Sequence, residues 1–556
     1  MKRLDAVKIS LLCATALGSV MAVQPAAAQT APQMDSIERQ IKSLQDELTR
    51  MKAESASRDR ALKQAQAQAK AAQEQAAAAH TQATQTAAQV AAAPPPPATP
   101  VSTEPKLPQG SFRVGQVTVT LGGFAAMEGL YRSRNEAASI DTSFGGIPLP
   151  NNPNYHVPEF RTTAQQSRFS LLAQADPNSY THLSSYLETD FLSAGSSSNS
   201  NQSNSYTLRL RQFFGEYDNS HLGLHVEGGQ GWTLATMYSK GLLPRQENVP
   251  LTIDAQYVVG FNWARQAEVR IVKDIDQKYW FGFSVESPQT IFGNPAGPNC
   301  FTGAAAPGFP GGGIPEYAAC GGPNVNSIQA YSDNYAPDLI AKVAADPGFG
   351  HYELYGLLRF MNGRVSYGAP TYTGTNHATT GEGIGAGMIL PVVPGKLNFQ
   401  VSGLIGKGVG RYGSSTLPDV TFSPTGSVEA LPGYSVMGGF VGHPTPSVDI
   451  YAYGGAEGVS AKYSGAFGYG SPSLNLSGCG LELGACPANT NNIVEGTVGA
   501  WWRFIKGPWG TMQAGLQYEY LNRNTFAGSN GKGAAIAGPS ANENVLLFSM
   551  RYYPFQ

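Results

Sequence analysis

From residue 117 to the end, the chain alternates apolar and polar residues with a period of two, in one run after another. In 168–176 one parity carries Phe169, Leu171, Ala173 and Ala175 and the other carries Arg168, Ser170, Gln174 and Asp176, with Leu172 the one apolar intruder. The next run sets Leu183, Leu187 and Phe191 against His182, Ser184, Tyr186, Glu188 and Asp190. Tyr279, Phe281, Phe283 and Val285 alternate with Lys278, Ser284 and Glu286, and Leu397, Phe399, Val401 and Ile405 with Lys396, Asn398, Gln400 and Ser402. Toward the carboxy terminus the runs are Val494, Val498, Trp502 and Phe504 against Glu495, Thr497 and Arg503, then Met512, Leu516, Tyr518 and Tyr520 against Gln513, Gln517 and Glu519. The last sets Leu546, Phe548, Met550 and Tyr552 against Ser549 and Arg551. Successive side chains of a strand point to opposite faces, so these runs predict antiparallel strands with one apolar face, about sixteen of them between Val117 and Phe555.

A soluble β-sandwich alternates in the same way. Here, however, the polar parity carries charges of both signs, and the apolar parity ends in Tyr, Trp and Phe, as an aromatic girdle does. That pattern predicts a lumen face and a lipid face, hence an all-β transmembrane barrel. Closure is required because hydrocarbon leaves no partner for the N–H and C=O groups of an edge strand. Connections alternate as well. Brief turns at 176–179 and 273–276 contrast with long segments at 287–335 and 406–433, predicting a periplasmic and an outer end.

The region before the barrel follows a different pattern. Ile37, Ile41, Leu44, Leu48 and Met51 fall at alternating spacings of four and three, and Asp35 with Glu38 forms a capping box ahead of them, so an α-helical coiled coil is expected within 29–93. The seam fades into Ala and polar residues beyond Arg58, which leaves a solvated spacer as the alternative for 63–93. Pro94 to Pro97, Pro100, Pro105 and Pro108 make 94–110 a stiff extended linker. Residues 1–28 read as a signal peptide, with Lys2, Arg3 and Lys8 before an apolar run and the small residues Ala26, Ala27 and Ala28 as a cleavage site. The barrel domain is then 111–556, and the expected location is the outer membrane of a Gram-negative bacterium, with 29–93 in the periplasm.

Composition marks the same joint, since no Phe, Tyr or Trp precedes Phe112. A formal net charge of −2 and the absence of any basic block exclude nucleic acid as a partner. Four cysteines follow the signal. The sequence-local pairing Cys300 with Cys320 and Cys479 with Cys486 reads as two disulfides stapling Gly/Pro/Asn-rich loops, with zinc the weaker alternative because no His accompanies either pair.

The segment 228–270 is too long and too rich in bulky side chains for a turn. It follows an alternating run, 221–227, and precedes a second strand beginning near Phe261. It is expected to fold into the barrel mouth as a constriction, presenting Trp232, Tyr238, Arg245 and Glu247. Parity places Glu128, Arg132, Arg168, Arg209, Arg211, Glu268 and Arg270 on the lumen side, because an arginine facing lipid at midplane costs roughly 2–4 kcal/mol, and Arg245 and Arg265 join Arg209, Arg211 and Arg270 as the cluster expected to steer solutes. Arginine rows there steer anionic solutes and fork onto carboxylates. Mutual satisfaction of these Arg and acidic side chains is the competing role for each of them.

The chain resembles the DcaP-like outer-membrane porins. The resemblance rests on the helical arm, the Pro-rich joint, a first strand like 117–124 (VTVTLGGF), and Gly229-Gln-Gly-Trp-Thr-Leu234 followed by Arg265-Gln-Ala-Glu-Val-Arg270. Ala267 departs from the family's Arg-Gln-Pro pattern. The resemblance implies a homotrimeric sixteen-stranded porin in outer-membrane lipid, for small hydrophilic solutes with a mild preference for anions such as dicarboxylates. It implies no cofactor or metal and no enzymatic activity. The alternative is a plugged scaffold whose arm binds peptidoglycan or a periplasmic partner. A phosphate-selective porin predicts more lumen lysines than this chain has. Enzymatic readings find little support: the dinucleotide-like 381–386 (GEGIGA) lacks a following helix, and His221 and His225 on one strand face lie ~13 Å apart, too far for one metal.

Overall fold

The computed structural model describes residues 107–193, 195, 201, 205–293, 313–316, 318–320, 330–368 and 370–555, together with isolated positions between 52 and 81. Those isolated positions are helical. The signal peptide, the coiled-coil seam of residues 37–51, the Pro-rich linker up to 106, Cys300 and the Cys320 side chain lie outside the described residues.

Sixteen antiparallel strands close on themselves. They are β1 (Val117–Arg132), β2 (Arg168–Asn178, led by Glu159–Thr163), β3 (Thr181–Asp190), β4 (Arg209–Asn219), β5 (Leu224–Trp232), β6 (Arg265–Ile275), β7 (Tyr279–Glu286) and β8 (Asp338–Ala345). They continue as β9 (His351–Tyr367), β10 (Thr373–Val393), β11 (Leu397–Lys407), β12 (Pro432–Thr445), β13 (Val448–Val459), β14 (Thr490–Gly507), β15 (Gly510–Thr525) and β16 (Ser540–Tyr553). Each pairs with the next, and β16 returns to β1 through the register Ala125↔Tyr552 to Arg132↔Val545. No edge is left, as hydrocarbon requires.

At one end the strands reverse in two to five residues. At the other, all connections but one run 14 to 51 residues, the exception being 368–372 at the tip of the long β9–β10 hairpin. By that asymmetry the first end is periplasmic and the second outer. The outward parity is apolar and exposed: Val269, Ile271, Phe281, Phe283 and Leu354 face the lipid zone, with Trp502, Phe504, Trp509 and Tyr552 ringing the periplasmic rim.

The inward parity is less polar than the alternation predicts. Val545 and Leu547 on β16, Ile493 on β14 and Leu521 on β15 point inward and are fully buried. They pack with Ile140, Phe144 and Ile147 from the 133–158 loop, with Ile253 and Val258 to Phe261 from the 233–264 loop, and with Leu417 from the 408–431 loop. Three loops thus fold inward and build an apolar core inside the lumen, which is why the polar parity fades on these strands.

The glycine-rich 381–386 lies on β10 with no helix after it. Its inward positions Gly381, Gly383, Gly385 and Gly387 leave that face bare. A Cβ on Gly385 would lie 2.1 Å from the Tyr355 ring of β9, and one on Gly387 would lie 3.0 Å from the Met237 sulfur of the inward loop. The glycines are there for close packing, which disposes of the nucleotide-loop reading. Cys479 and Cys486 form the expected disulfide in the 460–489 loop.

Candidate functional site

The inward loop 233–264 determines the geometry of the lumen. Its bounds are narrower than the alternation predicts: β5 runs through Gly228, Gly229 and Gly231 to Trp232, and β6 starts at Arg265, not near Phe261. His221 lies in the turn before β5, so it shares no strand face with His225, which sits between Asp218 at 2.5 Å and Asp274 at 3.2 Å.

Carboxylates on the wall hold the loop by its backbone. Glu286 on β7 accepts from Leu234 N at 2.9 Å, Glu353 on β9 from Tyr238 N at 2.6 Å, Glu495 on β14 from Val259 N at 2.7 Å, and Glu457 on β13 from Gly260 N at 2.7 Å. Lys342 on β8 donates to the Leu234 and Thr236 carbonyls at 3.0 and 2.7 Å. A buried amide left unpaired costs roughly 1–3 kcal/mol, so these acids secure an irregular segment that supplies no ladder of its own. On β13, Gly455 lets the loop lie against the wall, because a Cβ there would stand 1.7 Å from the Val259 carbonyl oxygen. Two of the loop's residues, Arg245 (φ 66°) and Tyr257 (φ 73°), hold left-handed backbone, a strained state for non-glycine residues that clusters at functional segments. On this loop, outside the spanning strands, burial pushes the Glu247 carboxyl up to about 7 and Asp254 up to about 6, with Arg132 opposing the latter.

Two cavities meet the loop. The outer one, ≈ 840 Å³, is bounded by residues 137–146 of the first loop, 414–418, Gln256 and Leu192. The inner one, ≈ 680 Å³, lies between the loop and the walls of β2–β4 and β13–β16, and also touches Leu192. Asp254, Ala255 and Tyr257 border the inner cavity and Gln256 the outer, so one turn of the loop separates them. The inner cavity is lined by Arg168, Arg211, Arg503, Lys506 and Arg551 against Glu188, Asp254 and Asp449, beside Trp232, Val249, Pro250, Leu251, Tyr257 and Trp501.

Two of the three acids of this cavity are held in ion pairs, and Asp254 accepts the Thr142 and Gln256 amides through Oδ1 while its Oδ2 has no hydrogen-bond partner among the described residues. Glu188 takes Arg211 at 2.5 Å and Arg168 at 3.5 Å, and Asp449 pairs with Arg503 and with His443 at 2.6 Å. Among the described residues, Arg168 Nε has no hydrogen-bond partner and Lys506 makes no ion pair. Asp190 also holds Arg211 at 2.8 Å and Glu128 holds Arg551 at 2.9 Å, so Arg168, a quarter exposed, and Lys506 are the cations left to meet a solute. Nearby, Arg265 lies 5.0 Å from both the Trp232 and Trp263 rings with Nη1 unpartnered, and Arg245 is exposed on the loop, 5.5 Å from the Tyr186 ring.

The other expected site residues are placed differently. Arg209 forks onto Asp190 at 2.9 and 2.8 Å. Glu128 is buried with Arg551 at 2.9 Å. Arg132 is fully buried, bonding Glu159 at 2.9 Å, Thr142 at 2.9 Å and the Ser139 carbonyl at 2.8 Å, which makes it the anchor of the first inward loop. Arg270 bonds Glu268 and the Tyr238 hydroxyl, both at 2.5 Å, and Tyr238 is itself fully buried against the wall. Glu247 bridges to Tyr238. None of Arg132, Arg270, Glu268, Tyr238 or Glu247 lines either cavity. Parity aims a side chain inward but does not reveal whether a loop covers it. Arg551, Lys506, Glu188 and Trp501 are cavity residues beyond the expected set. Glu188 and Arg551, like Arg503, which also lines the cavity, stand on the polar parity of their runs; Trp501 shares that parity but is itself apolar, and Lys506 carries no such signal. Replacement of Arg132 by alanine leaves Arg161, at 3.0 Å, as the ion-pair partner of Glu159 and strips the buried Thr142 hydroxyl and Ser139 carbonyl of their partner, so heat-modifiable gel mobility should report a barrel destabilised by roughly 1–3 kcal/mol.

No family model matches the chain, and no curated protein matches its sequence. Among solved structures, the outer membrane channel DcaP of Acinetobacter baumannii superposes with a TM-score of 0.52 at 17% identity, covering 80% of this chain and 100% of that one. OmpT of Vibrio cholerae (TM-score 0.42, 11% identity, 80% and 99% covered) and an anion-selective porin from Comamonas acidovorans (0.42, 12%, 79% and 99%) are too distant in shape to bear on the assignment. With a closed sixteen-stranded antiparallel barrel and this superposition over the whole of DcaP, the chain has the fold of the DcaP-like outer-membrane porins.

Proposed function

We propose that this protein is an outer-membrane porin through which small hydrophilic solutes diffuse passively, with a mild preference for anions, dicarboxylates among them. The observation that carries this reading is the inner cavity, lined by five cationic side chains and three acids, on which Arg168 meets Glu188 only at 3.5 Å. Arg168 and Arg211 line that cavity, and Arg245, Arg265 and Arg209 extend the positive field around it. Trp232 and the 254–257 turn narrow the passage, and the remaining Arg and Glu pairs hold the loops. The mature chain begins after a cleaved signal peptide, its arm at 29–93 stands in the periplasm behind the 94–110 linker, and three copies assemble in outer-membrane lipid.

In planar bilayers under a KCl gradient, the reconstituted protein is expected to conduct in triplet steps with a reversal potential of anion-selective sign. Single steps with strong cation selectivity would overturn this. The apolar core formed in the lumen by the inward loops favours a second reading, a scaffold plugged by its own loops whose arm binds peptidoglycan or a periplasmic partner. Such a barrel stays silent after deletion of 29–110, whereas a porin still conducts.

A further inference from the structure

The inner cavity has two chemically distinct contributors. Its cations come from the barrel wall and its apolar surface mainly from the inward loop, where Val249, Pro250 and Leu251 face the same space as the wall residue Trp501. On the wall, Arg168 and Arg551 share one aromatic support, their guanidinium carbons lying 5.2 and 4.8 Å from the Phe124 ring centroid, and Arg551 also lies 4.7 Å from Trp501. Arg551 is internally compensated, bonding Glu128 at 2.9 Å and Gln166 at 3.0 Å, while Arg168 is a quarter exposed and meets Glu188 only at 3.5 Å.

Along Pro250, Leu251 and Trp501 the donors are used up. Trp501 gives its indole N–H to the Leu251 carbonyl at 2.7 Å, Leu251 gives its amide to the Tyr453 hydroxyl at 3.3 Å, and Pro250 has no N–H. A carboxylate pressed against that side would lose water and gain no hydrogen bond, which is unfavourable. An apolar body placed there is favoured.

We infer that the inner cavity is built for a monocarboxylate carrying a flat apolar ring, its carboxylate toward Arg168 and its ring against Val249, Leu251 and Trp501, in preference to a straight-chain dicarboxylate of similar length. This rests on the porin reading and names its solute class. A ring face covered by apolar side chains and edged by guanidinium gives benzoate a half-blocking concentration for chloride current about fivefold below that of succinate.

The test uses the full chain in planar bilayers, where an uncharged acid crossing the lipid carries no current. Sodium benzoate and sodium succinate are titrated into chloride at pH 7.5, and the ratio of their half-blocking concentrations is read for the wild type and for Val249→Asn with Leu251→Asn. The wild type should show the benzoate preference, and the double variant a ratio close to one. Succinate blocking at equal or lower concentration than benzoate overturns the inference and leaves the porin reading standing. So does a chloride-conducting channel that neither anion blocks, or a double variant with the wild-type ratio. Absence of chloride conductance overturns both.

Discussion

Replacing Gly455 by leucine is expected to drive the inward loop off the β13 wall and raise single-channel conductance severalfold. The first atom of any side chain at this position would lie 1.7 Å from the Val259 carbonyl oxygen, which is backbone and cannot swing aside. Moving that carbonyl also pulls Val259 N and Gly260 N away from Glu495 and Glu457. Each lost bond to a buried group costs roughly 1–3 kcal/mol, so the effect spreads from one contact to the seat of the loop. The barrel should survive, because the new side chain points inward and leaves the β12–β13 and β13–β14 ladders untouched. The measurements are conductance in planar bilayers and heat-modifiable gel mobility. A folded variant with wild-type conductance would show that the 259–260 contact does not set the width of the passage.

The second large effect is on selectivity. Substituting glutamine for both Arg168 and Lys506 leaves three cationic and three acidic side chains on the inner cavity in place of five and three. Both residues are chosen because no strong ion pair depends on them: Arg168 meets Glu188 only at 3.5 Å, and Glu188 keeps Arg211 at 2.5 Å. At 0.1 M salt the screening length is about 10 Å, so a permeating ion responds chiefly to charges on the cavity it occupies. The reversal potential under a KCl gradient should therefore move from the anion-selective side to near zero. If it stays at the wild-type value, the cavity's charge excess is not what selects.

Much of this architecture is legible in the sequence because lipid imposes a simple rule on it. Every second residue of runs such as 279–285 and 546–552 must be apolar, and each of these runs is a strand in the structure. The long connection after Trp232 announces itself by its bulk, since Leu234, Met237, Tyr238 and Leu242 have no place in a solvated turn and are buried against β6–β11. What the chain conceals is which inward residues are covered. Arg132 and Arg168 stand on the same parity in neighbouring strands, but the first is enclosed by the loop it anchors and the second faces open space. That distinction depends on the paths of three loops. Those paths are set by contacts as distant in sequence as Val259 with Glu495, which no local period encodes. The alternation ends β5 too early for a related reason: its three glycines weaken the pattern, yet its ladder to β6 runs on to Trp232.

The row of bare positions on β10 has one more consequence. Because Gly381, Gly385 and Gly387 receive Met361, Tyr355 and Met237 from their neighbours, the inward loop packs closely on the β6–β11 arc, and the inner cavity lies toward β2–β4 and β13–β16. The inner cavity is eccentric. On the porin reading, solute chemistry falls to one arc of the wall and packing to the other, so the two arcs of a single cylinder are free to change for different reasons. A change of diet can be accommodated on β2–β4 and β14–β16 without disturbing the half that keeps the barrel narrow.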